Sequence, residues 1–316
     1  MPRISRRELA RQVAAVSLSP ALSRSAEAQA AGSKTRLILL GTAGGPCPRK
    51  TRVPSSQVVV VNGTAYVIDC GVGVATHLAL ADIRLSSLRH VFITHQHSDH
   101  NAEYGPLLLT AWGCGLRTQV DTWGPPPLTR MTELFLEMNA FDIRTRIADE
   151  AKVPLAPLIR PHELNREGVI LRENSVVVTC ALVDHPPVVP AFAYRLNTPD
   201  RSIVISGDTR PCKALIRLAR DADVLVHEVL WPSGVDRMPR NLYNSAALKK
   251  SILSHHTPAV KVGRVAAEAR VKTLVLSHLF RPRILRSRMR CGPMQCARAG
   301  IKDRLYWARI CWRSDV

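Results

Sequence analysis

Between Thr35 and Phe280 the chain alternates short apolar runs with Gly, Pro and Asn turn signals, and the period of each run predicts its element. Arg36–Leu40, Gln57–Val61 and Ala65–Ile68 read as strands. The last two are joined by Asn62-Gly63, a pair suited to the left-handed backbone of a tight hairpin. Asp69-Cys70-Gly71-Val72-Gly73 leads into a helix over Ala75–Leu80. Strand His90–Ile93 is followed by helix Pro106–Trp112, and strand Gln119–Trp123 by an amphipathic helix over Leu128–Asn139. Residues 150–167 are interrupted by proline and read as a surface excursion. Strands return at Gly168–Leu171, Val176–Val183, Ala191–Arg195 and Ser202–Ser206. Helix Cys212–Arg220, strand Val224–Val226, helix Ala259–Ala269 and strand Thr273–Leu276 close the pattern. Strand–helix alternation at both ends with hairpins between them predicts an α+β fold, two mixed β-sheets packed face to face and flanked by helices.

The two ends do not share this texture. Ser5-Arg6-Arg7, an uncharged stretch from Gln12 to Ser23 and the small residues around Ala26–Ala30 resemble a twin-arginine export signal over residues 1–30. That reading predicts an exported or periplasmic protein; without cleavage the chain would remain cytoplasmic. Residues 281–316 hold nine arginines, three cysteines and two tryptophans, with no helical or strand periodicity. They read as an atypical basic tail, translated in a shifted frame, with a nucleic-acid-binding arm and an unusual but folded terminus as the alternatives.

Charge follows the same division. The net charge is +19, but residues 1–34 contribute +4 and 281–316 contribute +8, leaving +7 for the body. A mildly basic body suits an anionic substrate and is weak evidence for nucleic-acid binding. No uncharged apolar run approaches the roughly 20 residues that span a bilayer. The five cysteines of the body (Cys47, Cys70, Cys114, Cys180 and Cys212) are scattered with no Cys-x-x-Cys pair, so they read as buried structural thiols.

The candidate chemistry sits in Thr94-His95-Gln96-His97-Ser98-Asp99-His100, directly after the apolar Val91-Phe92-Ile93. In an extended segment His95 and His97 point the same way, and Asp99 and His100 lie a step further on. Further donors follow apolar runs elsewhere: His185 after Val176–Val183, Asp208 after Ser202–Ser206 and His278 after Thr273–Leu276. Imidazole and carboxylate without thiolate suit Zn²⁺, with Mn²⁺ or Fe²⁺ as neighbours in preference.

These residues resemble the signature of metallo-β-lactamase-fold hydrolases, in the branch that holds tRNase Z and arylsulfatase-like and phosphodiesterase-like proteins. The resemblance covers about 35–280 within a domain read as 31–280. It implies an αββα sandwich with two zinc ions at its rim and a homodimer. One ion would be held by His95, His97 and His185, the other by Asp99, His100 and His278, with Asp208 bridging. Two such ions would lower the pKa of a shared water towards ~7 and neutralise charge on a phosphoryl or sulfuryl oxygen. Asp69 matches an aspartate that positions the metal loop. His227-Glu228 and His256-Thr257 match segments in which the glutamate and histidine assist proton transfer to the leaving oxygen. Asp99, Glu228 and His256 are the catalytic residues of that reading.

Other features carry less. Gly71-Val72-Gly73 lacks the third glycine of a dinucleotide fingerprint, and Gly41-Thr42-Ala43-Gly44-Gly45-Pro46 lacks the Lys-Ser/Thr ending of a phosphate loop, so it reads as a turn near the site. His77, His90 and His162 fall outside the ligand pattern. Enzymes that process tRNA carry a long basic arm; the counterpart around 125–167 is short and close to neutral. The sequence therefore favours a small anionic ester, an aryl sulfate or phosphodiester. A tRNA 3′-processing endoribonuclease is the alternative, and a non-catalytic metal- or nucleic-acid-binding protein comes third.

Overall fold

The computed structural model describes residues 35–173, 175–235, 244–280 and 305–307. The expected export signal at 1–30 lies outside them, as does most of the 281–316 tail.

Two mixed sheets carry the fold. The first contains β1 (Thr35–Gly41), β2 (Ser56–Val61), β3 (Thr64–Ile68), β4 (Leu88–Phe92), β5 (Val120–Gly124) and β6 (Ile159–Glu163), in that spatial order. β1 to β3 form an antiparallel meander and β3 to β6 run parallel. The second holds β7 (Gly168–Glu173), β8 (Val176–Leu182), β9 (Phe192–Asn197), β10 (Ser202–Ile205), β11 (Val224–Leu230), β12 (Thr273–Phe280) and β13 (Leu305–Trp307), in consecutive order. β7 to β10 are antiparallel and β10 to β13 parallel.

The valine run of β2 shows how the layers separate. Val58 and Val60 pack into a cluster with Leu78, Leu107 and Trp112, which lie on α1 (Val74–Leu80) and α3 (Tyr104–Gly113). Val59 and Val61 face the other way, against Phe192, Tyr194 and Ile203 of the second sheet. Alternate side chains of one strand thus serve two interiors, and a strand buried on both faces has no polar stripe. A third cluster joins Val204, Leu225 and Leu274 to Leu215 of α6 (Lys213–Leu218) and to Val262 and Val265 of α9 (Ala259–Glu268). The order helix, sheet, sheet, helix is the expected αββα sandwich.

Five expectations need correction. Residues 150–167 are no surface excursion, because 159–163 form β6, paired with β5. Pro161 lacks an N–H for a second neighbour, and an edge strand needs none. The pattern also passed over α4's successor α5 (Ala140–Glu150), which follows α4 (Leu128–Met138), and α8 (Ser245–His255). β11 and β12 continue well past Val226 and Leu276, which places Glu228 and His278 inside strands. The tail, read as without strand pattern, supplies β13 beside β12. Among the described residues no helix is long and apolar enough to cross a membrane. Cys70 and Cys180 are buried as expected, whereas Cys47 and Cys114 are exposed.

Candidate metal centre

β3 and β4 are parallel neighbours, so their carboxyl ends emerge together, and Asp69 and Thr94 meet there. The Asp69 carboxylate accepts the Thr94 N–H at 2.8 Å and the Thr94 hydroxyl at 3.0 Å, and takes the His100 Nδ1 proton at 2.7 Å. The Cys70 N–H donates to the His100 carbonyl at 2.6 Å. One buried carboxylate therefore pins both ends of the histidine segment. Asp69 sits at φ 62°, a left-handed conformation that Asp tolerates better than most residues. Asp99 and His100 lie on α2 (Ser98–Asn101), a single turn begun as soon as the segment leaves β4.

The second sheet supplies the rest. His185 follows β8 and Asp208 follows β10. His278 is the extra residue of a β-bulge: Glu228 pairs with Ser277 and Val229 with Leu279, leaving His278 unmatched at φ 45°. A bulge re-aims one side chain without ending the strand, which is how an interior strand residue reaches the rim. Gly44 makes room for it, since a Cβ there would lie 3.0 Å from the His278 ring.

His95, His97, His185 and Asp208 bring one donor atom each within 4.8 Å of one another, as do Asp99, His100 and His278. A third such group, Asp208, His256 and His278, overlaps both. His97 Nδ1 lies 3.0 Å from His95 Nε2 and 3.2 Å from His185 Nε2. His278 Nε2 stands 3.1 Å from Asp99 Oδ2 and 3.2 Å from Asp208 Oδ2.

The outer ring nitrogens decide what these inner atoms are. His185 Nδ1 faces the His255 carbonyl at 3.1 Å and must donate to it, so a neutral His185 presents a lone pair at Nε2. The same holds for His100 with its Nδ1–H donating to Asp69. His100 Nε2 then faces Asp208 Oδ1 at 3.4 Å, and both atoms are buried with no hydrogen-bond partner among the described residues. Imidazole nitrogens and carboxylate oxygens converging on one place fit a cation, and hydrogen-bonded outer nitrogens are how metal-binding imidazoles are oriented.

Electrostatics point the same way. Burial pushes His95 well below its ordinary value, with His100 adding to it, and burial takes His185 down to about 4. Both stay neutral and able to ligate. Burial would also lower His100, but Asp208, Asp69 and Asp99 outweigh it and raise its pKa; the three carboxylates favour positive charge there, which a cation at Nε2 would supply in place of a proton. Burial opposes ionisation of Asp208 and Asp99, yet the surrounding imidazoles hold both below the carboxylate range.

Glu228 and His256 stand behind this cluster. Glu228 Oε1 accepts the Thr257 N–H at 2.7 Å and lies 3.4 Å from His256 Nδ1; the same nitrogen is 3.9 Å from Asp208 Oδ2. Burial would lower His256, but the hydrogen bond and charge of Glu228, with Asp208, raise its pKa to about 9. Of the adjacent histidines, His256 is the one beside Glu228, while His255 contributes its carbonyl to His185.

The structure brings His95, His97, Asp99, His100, His185, Asp208, His256 and His278 into one cluster, with Glu228 buried behind it. His77, His90 and His162 are elsewhere, bonded to the Gly73 carbonyl, Glu173 and Asp121. Sequence reading missed Thr94, whose position between strand and histidine was the available signal. It placed Gly44-Gly45 only as a turn near the site, where the Gly45 N–H in fact donates to Asp99 Oδ2 at 2.8 Å.

Fold and donor set are those of the metallo-β-lactamase fold, and the ribonuclease Z relatives make the chain a metal-dependent hydrolase acting on phosphodiester or ester bonds. The chain belongs to the family described as anti-Pycsar protein Apyc1, whose model matches residues 35–261, and shares the ribonuclease Z family with curated relatives. Ribonuclease Z of Mycobacterium bovis (strain BCG / Pasteur 1173P2) is 34% identical over 245 residues, 77% of this chain and 85% of the relative. Human tRNase Z, short form, superposes with a TM-score of 0.60 at 22% identity, over 77% of this chain and 92% of that one. YhfI from Bacillus subtilis, a metallo-β-lactamase-fold protein, gives 0.60 at 18% identity over 87% and 96%.

Proposed function

We propose that this chain is a ribonuclease Z-type phosphodiesterase that hydrolyses an RNA phosphodiester, with precursor tRNA as the candidate substrate. The observation that carries the reading is the 34% identity to ribonuclease Z across most of both chains, joined to a donor cluster backed by Glu228 and His256. This reverses the preference for a small ester drawn from the short, near-neutral stretch around 125–167 and the expected export signal.

His95, His97, His185 and Asp208 would hold one divalent ion and Asp99, His100, His278 and Asp208 a second, zinc being the ion that this donor set suits best. When bound, the ions supply Lewis acidity at a phosphoryl oxygen and a nucleophile at neutral pH. The protein does the remaining work. His256, kept protonated near neutrality by Glu228, gives its proton to the leaving oxygen. Glu228 fixes the imidazole while its other contact, the Thr257 N–H, fixes the carboxylate. Asp69 and the His255 carbonyl hold the inner faces of His100 and His185 towards the centre.

A second reading, the small anionic diester or aryl sulfate, has one observation in its favour. Residues 128–150, where a tRNA-gripping arm was sought, form α4 and α5; α4 buries Leu128 against the first sheet's helical layer. Homodimerisation and export belong to the same tier of proposal. Parallel assays of metal-loaded protein on precursor tRNA, bis(p-nitrophenyl) phosphate, an aryl sulfate and a β-lactam separate the readings. Cleavage of precursor tRNA at its 3′ side is expected. Turnover of the small esters with tRNA left intact would transfer the assignment to the second reading.

A further inference from the structure

Below the donor cluster, between the two sheets, lies a cavity of about 10 Å³ lined by Gln57, Ser206, Glu228 and Ser277 together with His100 and Asp208. That is room for one water. Of the six buried atoms of its lining residues that have no hydrogen-bond partner among the described residues, three belong to side chains outside the ligand set: Gln57 Oε1, Glu228 Oε2 and Ser277 Oγ. In two of these side chains the other polar atom is already engaged. Gln57 Nε2 donates to Ser55 Oγ at 3.1 Å, and Glu228 Oε1 accepts the Thr257 N–H at 2.7 Å. The atoms left over are two acceptors and one hydroxyl. His100 Nε2 and Asp208 Oδ1, also without partners, face the cation that the donor set would hold, and His278 Nδ1 is the sixth.

A water offers two donors and two acceptor lone pairs, the kind and number of partners that these three atoms need. We propose that one water is built into this cavity, accepting from Ser277 Oγ and donating to Gln57 Oε1 and Glu228 Oε2, so that Gln57 and Ser277 act as positioning residues for Glu228. Gln57 comes from β2 of the first sheet, Ser277 and Glu228 from β12 and β11 of the second. The water therefore couples the two sheets where the proton-transfer pair is mounted. A carboxylate held at both oxygens cannot rotate away from His256. This inference rests on reading Glu228 and His256 as that pair.

The test has two arms. In a high-resolution crystal structure of the metal-loaded protein, density for one water is expected within hydrogen-bonding distance of the three atoms. In kinetics on bis(p-nitrophenyl) phosphate or precursor tRNA, Gln57→Leu and Ser277→Ala should each lower kcat about tenfold, the low end for an outer partner of a metal site. KM and metal content should stay at wild-type levels, and Ser277→Thr, which keeps the hydroxyl, should retain kcat. In a Glu228→Gln background the extra loss should vanish, since the residues act through Glu228. A dry cavity in the wild-type crystal overturns the proposal, as do losses that persist undiminished in the Glu228→Gln background or that follow metal content. If no ester is turned over, the functional reading fails while the density still decides the water.

Discussion

The two halves of the donor cluster are built by opposite means. His95, His97, Asp99 and His100 come from one segment held by a single buried carboxylate, Asp69, and by the start of α2. His185, Asp208 and His278 come from three strands of the second sheet, and each depends on long-range packing for its place. In the first half local chain geometry fixes the spacing, and in the second the sandwich does. One half should accordingly fail through its clamp, the other through a single shared atom pair.

Asp208 is the sharpest test, because it faces both halves: Oδ1 lies 3.4 Å from His100 and Oδ2 3.2 Å from His278. Asp208→Ala is expected to lower kcat by at least about 10²–10³-fold, the scale of losing a principal electrostatic element. Metal bound per chain, measured by elemental analysis, should fall with it. Full metal content in this variant would show that the two ion sites are independent and that no bridge joins them.

His256 belongs to the long-range half without belonging to the ligand set. His256→Ala should lose about 10²–10⁴-fold in kcat, the range for a general acid, while the protein keeps its metal. Loss of metal together with activity would move His256 into the coordination group, where its proximity to Asp208 and His278 would then have placed it.

Asp69 tests the local half. Removing the clamp in Asp69→Ala frees His100 Nδ1 and the Thr94 N–H, and metal affinity should drop about 10–100-fold, as for other partners that orient ligating imidazoles. Titration with a competing chelator measures it. An affinity unchanged within twofold would mean that the segment holds its shape without the carboxylate, and the contrast between halves would lose its basis.

How much of this could be read from sequence follows from the same contrast. The local half was legible because its ligands lie within six residues, so spacing alone carries the geometry. The long-range residues could be named only by position after apolar runs. For Glu228 and His278 that reading misplaced the strand ends, since a period of two cannot reveal a bulge. β6 was hidden by Pro161, which excludes an interior strand but not an edge. α5 escaped notice because it buries no residue fully. Its support includes Arg146, which pairs with Asp142 at 3.0 Å and Glu150 at 2.7 Å on the helix surface.

The smallest expected effect concerns the packing that brings the halves together. His90 on β4 stacks on Tyr66, ring centroids 4.9 Å apart, and its Nε2 meets Glu173 of β7 in the other sheet. Burial lowers its pKa and outweighs the opposing pull of Glu173. The native imidazole therefore stays neutral at a pH where the unfolded chain, near 6.5, already takes up a proton. This contribution is fully present above about pH 6.5 and is lost as the pH falls through the lower native value. Urea midpoints of the wild type should decline between pH 7.5 and pH 5, and His90→Phe should show a shallower decline with an unchanged m-value. An identical slope in the variant would assign the acid sensitivity to the donor cluster and leave the sheet interface with no part in it.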